Sequence, residues 1–154
     1  MKTNPCSPEF GKNFIAAAIV FAIAIAARVP SCFESFWVDE LHSTWCVWGS
    51  FSDITPRATI GNQSPFYFYG LWCWKQIFGG GELALRLTSV LSTSAAAALL
   101  TVGIGRWCQS ITAGIAAGLV LALESNAIFF GTELRPYSLV ILTTSAAVLC
   151  FRWH

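Results

Sequence analysis

The sequence predicts an all-α, polytopic membrane protein with about four transmembrane helices and further interfacial helices, and three observations lead to that fold class. Charged residues make up 11% of the chain, against about 25% in an ordinary soluble domain. Those charges are bunched between long apolar runs, each near the roughly 20 residues that cross the hydrocarbon core of a bilayer. Tryptophan and tyrosine gather beside the charges, where amphipathic rings favour the headgroup level. The formal net charge of +1 gives no basis for a nucleic-acid partner.

The first apolar run, residues 13–27, carries no charge between Lys12 and Arg28. Extended to about 10–30 it becomes the first span, with both cations expected to snorkel to the headgroups. A cleaved signal peptide is a second reading of the same residues, since Lys2 and Lys12 make a basic leader and Ala24-Ile25-Ala26 resembles a cleavage site. The later spans favour an uncleaved first helix.

Residues 31–64 form the one long polar stretch, within an outer loop expected over 31–82. Leu41 to Gly49 reads as a surface helix with an aromatic face, and Thr55-Pro56 and Gly61-Asn62 supply turn chemistry. Residues 65–78 are half aromatic and too short to span comfortably. They read as an interfacial helix started by Pro65 and stopped by Gly79-Gly80-Gly81.

The second span is expected at 83–105, with Glu82 and Arg86 bridging i,i+4 at its entrance. The third covers 109–130, where Gly114 and Gly118 stand in a small-x-x-x-small register suited to close helix contact. The fourth covers 136–153, opened by Pro136 and anchored by Arg152 and Trp153. Placing the N-terminus in the cytoplasm leaves Lys2, Lys12, Arg106 and Arg152 on that side with Glu9 as its only acid. Both acid-bearing loops, 31–64 and 131–135, then share the outer face. The six cysteines show no metal-ligand spacing and read as scattered apolar residues, a Cys32–Cys46 disulfide being the alternative.

The stretch that draws chemical attention is Phe36-Trp37-Val38-Asp39-Glu40-Leu41-His42, followed by Ser64-Pro65-Phe66-Tyr67-Phe68-Tyr69, by Phe78-Gly79 with Glu82-Leu83-Ala84-Leu85-Arg86-Leu87, and by Thr132-Glu133-Leu134-Arg135-Pro136-Tyr137. In this order, after a first span, the motifs resemble the C-type membrane glycosyltransferases, which use polyprenyl-phosphate sugars and include the protein O-mannosyltransferases and lipid A aminoarabinose transferases. The resemblance runs from the first span to the fourth. It departs from the aminoarabinose transferases at Asn62-Gln63-Ser64-Pro65, where their acidic-basic pair and Pro-Pro are missing. Family members are several times longer, so residues 1–154 are expected to form a single transmembrane module, the N-terminal portion of a larger enzyme.

The resemblance implies inverting transfer of a sugar from a polyprenyl-phosphate donor to a hydroxyl on a lipid, glycan or protein acceptor, at the outer face of a bacterial plasma membrane. Such a reaction needs a base for the attacking hydroxyl, and Asp39 is the candidate. The leaving phosphate needs a cation that binds it through parallel hydrogen bonds, a role that falls to Arg135 with Tyr137 beside it. Glu40 and Glu133 are candidates to support the base or to hold a divalent metal, while simple pairing at a helix end is the other reading of Glu133 and Arg135. His42, three residues beyond Asp39, is placed behind it, or else is a surface histidine without a ligand. The competing functional classes are a non-enzymatic membrane protein, such as a transporter subunit or assembly partner, and an inactive truncated relative. A transporter places ionisable groups in mid-membrane, whereas the charges here fall near the ends of the runs.

Overall fold

A computed structural model describes residues 8–151, with side chains described over 11–150. Lys2, Cys6, Arg152 and Trp153 therefore lie outside the described residues. The described chain is all-helical: α1 (Pro8–Arg28), a 3-10 turn (Val29–Phe33), α2 (Val38–Trp48), a second 3-10 turn (Phe51–Asp53), α3 (Ile54–Ile60), α4 (Phe66–Phe78), α5 (Glu82–Trp107), α6 (Ile111–Leu123), α7 (Ser125–Thr132) and α8 (Tyr137–Phe151).

The longest helix, α5, is the spine, and α1, α6, α7 and α8 pack around it. Its last turn gives way to Gln109, which takes a left-handed φ of 53° and donates its side-chain amide to the Arg106 carbonyl at 2.7 Å. Ser110 then caps α6 by accepting from the Ala113 N–H at 3.3 Å. The tight turn folds α6 back along α5 so closely that a Cβ on Gly114 would meet Gly105 Cα at 2.8 Å, and one on Gly118 would meet the Ala97 carbonyl at 2.9 Å. The expected small-residue contact is thus a backbone-to-backbone one.

Helix α1 runs antiparallel to α5, with Asn13 facing the position of Gly105 and Val20 that of Gly118 on α6. Helix α8 runs parallel to α5, Leu149 facing Gly103. Residues 29–81 and 124–136 consequently gather at one end of the bundle, and Lys12 and Arg106 lie at the other. The two polar loops share an end, as the sequence implies.

Two helices, over Gly11–Phe33 and Glu82–Trp107, are long and apolar enough to cross a membrane, and a third crossing exists if α6 and α7 count as one. Helix α8, at 15 residues, falls short of a comfortable span by itself. The expected continuous helix over Ile111–Phe130 is instead broken, α6 and α7 meeting at 60°. Glu124 is the cause on one side: it adopts an extended ψ of 130°, and its carboxylate caps α7 by accepting from the Ala127 N–H at 2.7 Å and the Asn126 amide at 2.9 Å.

Arg28 is the cause on the other side. Its guanidinium is fully buried and donates to the carbonyls of Ala24 (2.9 Å), Ala122 (2.9 Å), Ala127 (3.1 Å) and Leu121 (3.2 Å). Two of these, Leu121 and Ala122, lie in the last turn of α6, where the break strips carbonyls of their helical partners. The snorkelling expected of Arg28 does not occur, because carbonyl oxygens at the break solvate the cation better than the headgroups could reach it.

The loop helices form a shelf across this end of α5. Phe68 and Leu71 of α4, Val47 of α2 and Ile54 of α3 bury against Leu85 and Leu134, each such side chain contributing about 1.5–3 kcal/mol. Helix α4 begins after Pro65 and stops at Gly79, whose φ of 89° suits a residue without Cβ. The carbonyls left over at the end of α2 are taken by Arg57 (Trp45, 2.7 Å), Lys75 (Val47, 3.0 Å; Trp48, 3.2 Å) and the Trp72 indole (Gly49, 3.0 Å). Pro56 sits inside the first turn of α3 rather than in a loop, where its missing N–H costs nothing, and the turn comes at Gly61-Asn62, with Asn62 at φ 52°. The shelf leaves Phe66, Ile77 and Trp48 exposed, the amphipathic character expected of an interfacial layer.

Candidate functional site

The Asp39-Glu40 pair opens α2, because Trp37 is extended and the Glu40 carboxylate accepts from the Trp37 N–H at 3.0 Å. The helix therefore begins at Val38, three residues earlier than expected, and both acids lie in its first turn, where carboxylates complement the helix dipole. One turn of helix then sends the two neighbours in opposite directions.

Glu40 points inward and is 1% exposed. Its Oε1 accepts from Arg86 Nε at 2.8 Å and from the Leu134 N–H at 2.9 Å, and its Oε2 accepts from an Arg86 terminal nitrogen at 2.5 Å besides Trp37. Four N–H donors thus use the lone pairs of both oxygens. Burial alone would raise this carboxyl's pKa, but the Arg86, Leu134 and Trp37 hydrogen bonds outweigh it and hold it below the usual carboxylate range.

Arg86 reaches further. Its remaining N–H groups donate to the carbonyls of Cys32 (3.2 Å), Ser35 (3.2 Å), Ser31 (3.5 Å) and Glu34, and its guanidinium stacks 5.1 Å from the centre of the Phe36 ring. The expected Glu82–Arg86 bridge is absent among the described residues, because a buried carboxylate and a row of unpaired carbonyls compete better than an exposed acid one turn away. Arg86 and Glu40 together tie the link between α1 and α2, the spine, and the 133–135 loop into one unit.

Asp39 points outward, its side chain 74% exposed, with Oδ2 3.9 Å from a terminal nitrogen of Arg135. Arg135 is held by the short loop after α7, where Leu134 is fully buried as an anchor and the Arg135 N–H bonds the Glu133 carbonyl at 2.9 Å. Its guanidinium lies 5.7 Å from the centre of the Tyr137 ring. Asp39, from the first loop, therefore meets the half-buried Arg135 and Tyr137 of the second at the surface.

Beside it a cleft of about 280 Å³ opens between the 31–37 link and α7, lined by Glu34, Trp37, Ser125, Phe129, Thr132 and Glu133, with the Glu40–Arg86 pair as its floor. Trp37 and Phe129 meet edge to face at its rim, 6.0 Å between ring centres. Partial burial and the negative charge of Glu40 raise the Glu133 carboxyl above its ordinary range, Arg135 only partly offsetting them.

His42 is not part of this group. Its ring is wedged against the Gly61 backbone, with Cys46 Sγ at 3.7 Å and Phe68 edge-on, and it packs the shelf together. Cys32 and Cys46 are both buried free thiols. Among the described residues no three His, Cys, Asp or Glu side chains are grouped to hold a metal. Glu40 in particular already accepts from four N–H donors.

Sequence reasoning missed Arg28, Arg86, Glu34 and Trp37 as parts of the site or its frame. The signal for Arg86 is a lone cation between apolar neighbours, Leu85 and Leu87, near the start of a long apolar run. Comparison with protein-family models, with curated proteins and with solved structures finds no match.

Proposed function

We propose that this chain is the N-terminal module of a membrane glycosyltransferase that moves a sugar from a polyprenyl-phosphate carrier to an acceptor hydroxyl at the outer face of a plasma membrane. The observation that carries the reading is the convergence of two loops on one end of the bundle, placing an exposed carboxylate, Asp39, 3.9 Å from an arginine, Arg135. A base and a phosphate partner are the two groups that such a transfer requires.

In this reading the Asp39–Arg135 pair parts to admit the donor, since groups that bracket an inverting displacement stand farther apart than 3.9 Å, and the acceptor oxygen attacks the anomeric carbon from the face opposite the carrier phosphate. Its proton passes to Asp39 while the bond to the phosphate oxygen breaks, so configuration inverts. Arg135 offers N–H donors to the phosphate as charge builds on it, and Tyr137 backs the guanidinium. Glu40 stays out of the chemistry and fixes the position of Asp39 through the helix start. Glu133, Glu34 and the Trp37–Phe129 rim line the adjoining cleft, which is sized for part of a sugar or acceptor. The N-terminus is cytoplasmic, and α8 completes a fourth crossing.

The rival, a transporter subunit or assembly partner, has less to rest on, because Arg28, the one cation buried at a helix break among the described residues, spends its bonds on backbone carbonyls. The test is Asp39→Asn in the membrane-embedded protein, given a radiolabelled polyprenyl-phosphate sugar and a hydroxyl acceptor. Transfer should fall by about 10²–10⁴-fold. Unchanged transfer, or no transfer by the native protein, would overturn the proposal.

A further inference from the structure

Tyr67, in the first turn of α4, is 7% exposed, and its phenolic oxygen has no hydrogen-bond partner among the described residues. Thr88 and Ser89 lie near it and donate to the Leu85 carbonyl at 2.7 Å and the Glu133 carbonyl at 2.6 Å, and neither oxygen meets the phenol at hydrogen-bonding distance and angle. Burial raises the phenol's pKa, so it stays an O–H donor. Native proteins seldom leave such a group unsatisfied.

Tyr67 lines a cavity of about 180 Å³ with Leu71 and Trp74 of α4, Thr88 and Ser92 of α5, and Ser138 of α8. Gly70 also borders it, in the middle of α4, and a Cβ built there would meet nothing within 4 Å. Glycine weakens a helix interior, and no turn or close backbone approach calls for one at this position. Its effect is to leave the side of the cavity open. The cavity lies beside the first turns of α5 and α8, at the end of the bundle that carries the polar loops.

We propose that this cavity is a lipid site, taking an acyl chain of a bilayer glycerolipid through the Gly70 gap, with the ester carbonyl accepting the hydrogen bond from Tyr67. The walls suit a chain, being apolar apart from the hydroxyls, and the single unpaired donor suits one neutral acceptor. The inference stands independently of the transfer reaction.

The test places the protein in nanodiscs of dioleoyl phosphatidylcholine or of its diether analogue, which lacks the carbonyl, and counts lipid retained in mild detergent by native mass spectrometry. The native chain should hold the ester lipid more tightly than the diether. Tyr67→Phe should weaken ester retention about five- to tenfold, the worth of one neutral hydrogen bond, and leave diether retention unchanged. Gly70→Leu, whose side chain enters open space and favours the helix, should abolish retention of both without lowering the unfolding temperature. Equal treatment of the two lipids by Tyr67→Phe, or full retention in Gly70→Leu, would overturn the proposal, as would the equal retention in all variants expected of a cavity filled by water.

Discussion

Adjacent carboxylates with opposite environments make opposite predictions, and Glu40→Gln is the sharper one. The glutamine has the shape of glutamate, but its amide nitrogen must face an N–H donor, either Arg86 or a backbone group. Removing one partner of a buried ion pair costs about 3–5 kcal/mol. Arg86 keeps its carbonyl acceptors at Cys32 and Ser35, so the lower end, about 3 kcal/mol, is expected. For a chain of this size that corresponds to a fall in unfolding temperature of roughly 6–12 °C, read by circular dichroism in detergent. Asp39→Asn, one residue away and mostly exposed, should stay within about 0.5 kcal/mol of the native protein. A Glu40→Gln variant within 1 kcal/mol of native, or an Asp39→Asn variant as costly as Glu40→Gln, would refute the assignment of Glu40 to the frame and Asp39 to the surface.

Further predictions follow from the same contacts. Arg28→Met should destabilise the protein by about 2–4 kcal/mol, since it orphans the Leu121 and Ala122 carbonyls at the end of α6, and cysteine cross-linking across the break should report a looser bend. Gly114→Ala should cost about 1–3 kcal/mol by overpacking against the Thr101 carbonyl and Gly105, whereas Gly11→Ala, with open space around it, should be neutral or stabilising by up to about 1 kcal/mol. Gln109→Gly should stabilise by a few tenths to about 1 kcal/mol by relieving the left-handed φ. In acid, the depressed Glu40 pKa means its contribution is complete above the unfolded value of about 4.3 and is lost as pH falls through the folded value. Glu133, with its raised pKa, acts in the opposite sense, so its contribution is present at low pH and lost as pH rises through the folded value; Glu133→Gln should flatten that limb of a stability–pH profile.

The sequence by itself determined the all-helical membrane class, the two ends of α4, and the gathering of acids beside the spans. Those features are local: apolar runs, Pro65 and Gly79 at the ends of α4, and the Gly114/Gly118 register each act through neighbours within a few residues. The sequence did not determine which acid is buried. Asp39 and Glu40 have the same local context, and only the arrival of Arg86 from α5 and the Leu134 N–H from a distant loop decides that Glu40 turns in and Asp39 turns out. The break at Glu124 is of the same kind, since a single acid in an apolar run reads as the tail of a span until a buried Arg28 supplies the donors that let α6 end there. Long-range hydrogen bonds to backbone carbonyls leave no periodicity in the chain, and it is these bonds, more than helix propensity, that bring Asp39 and Arg135 together.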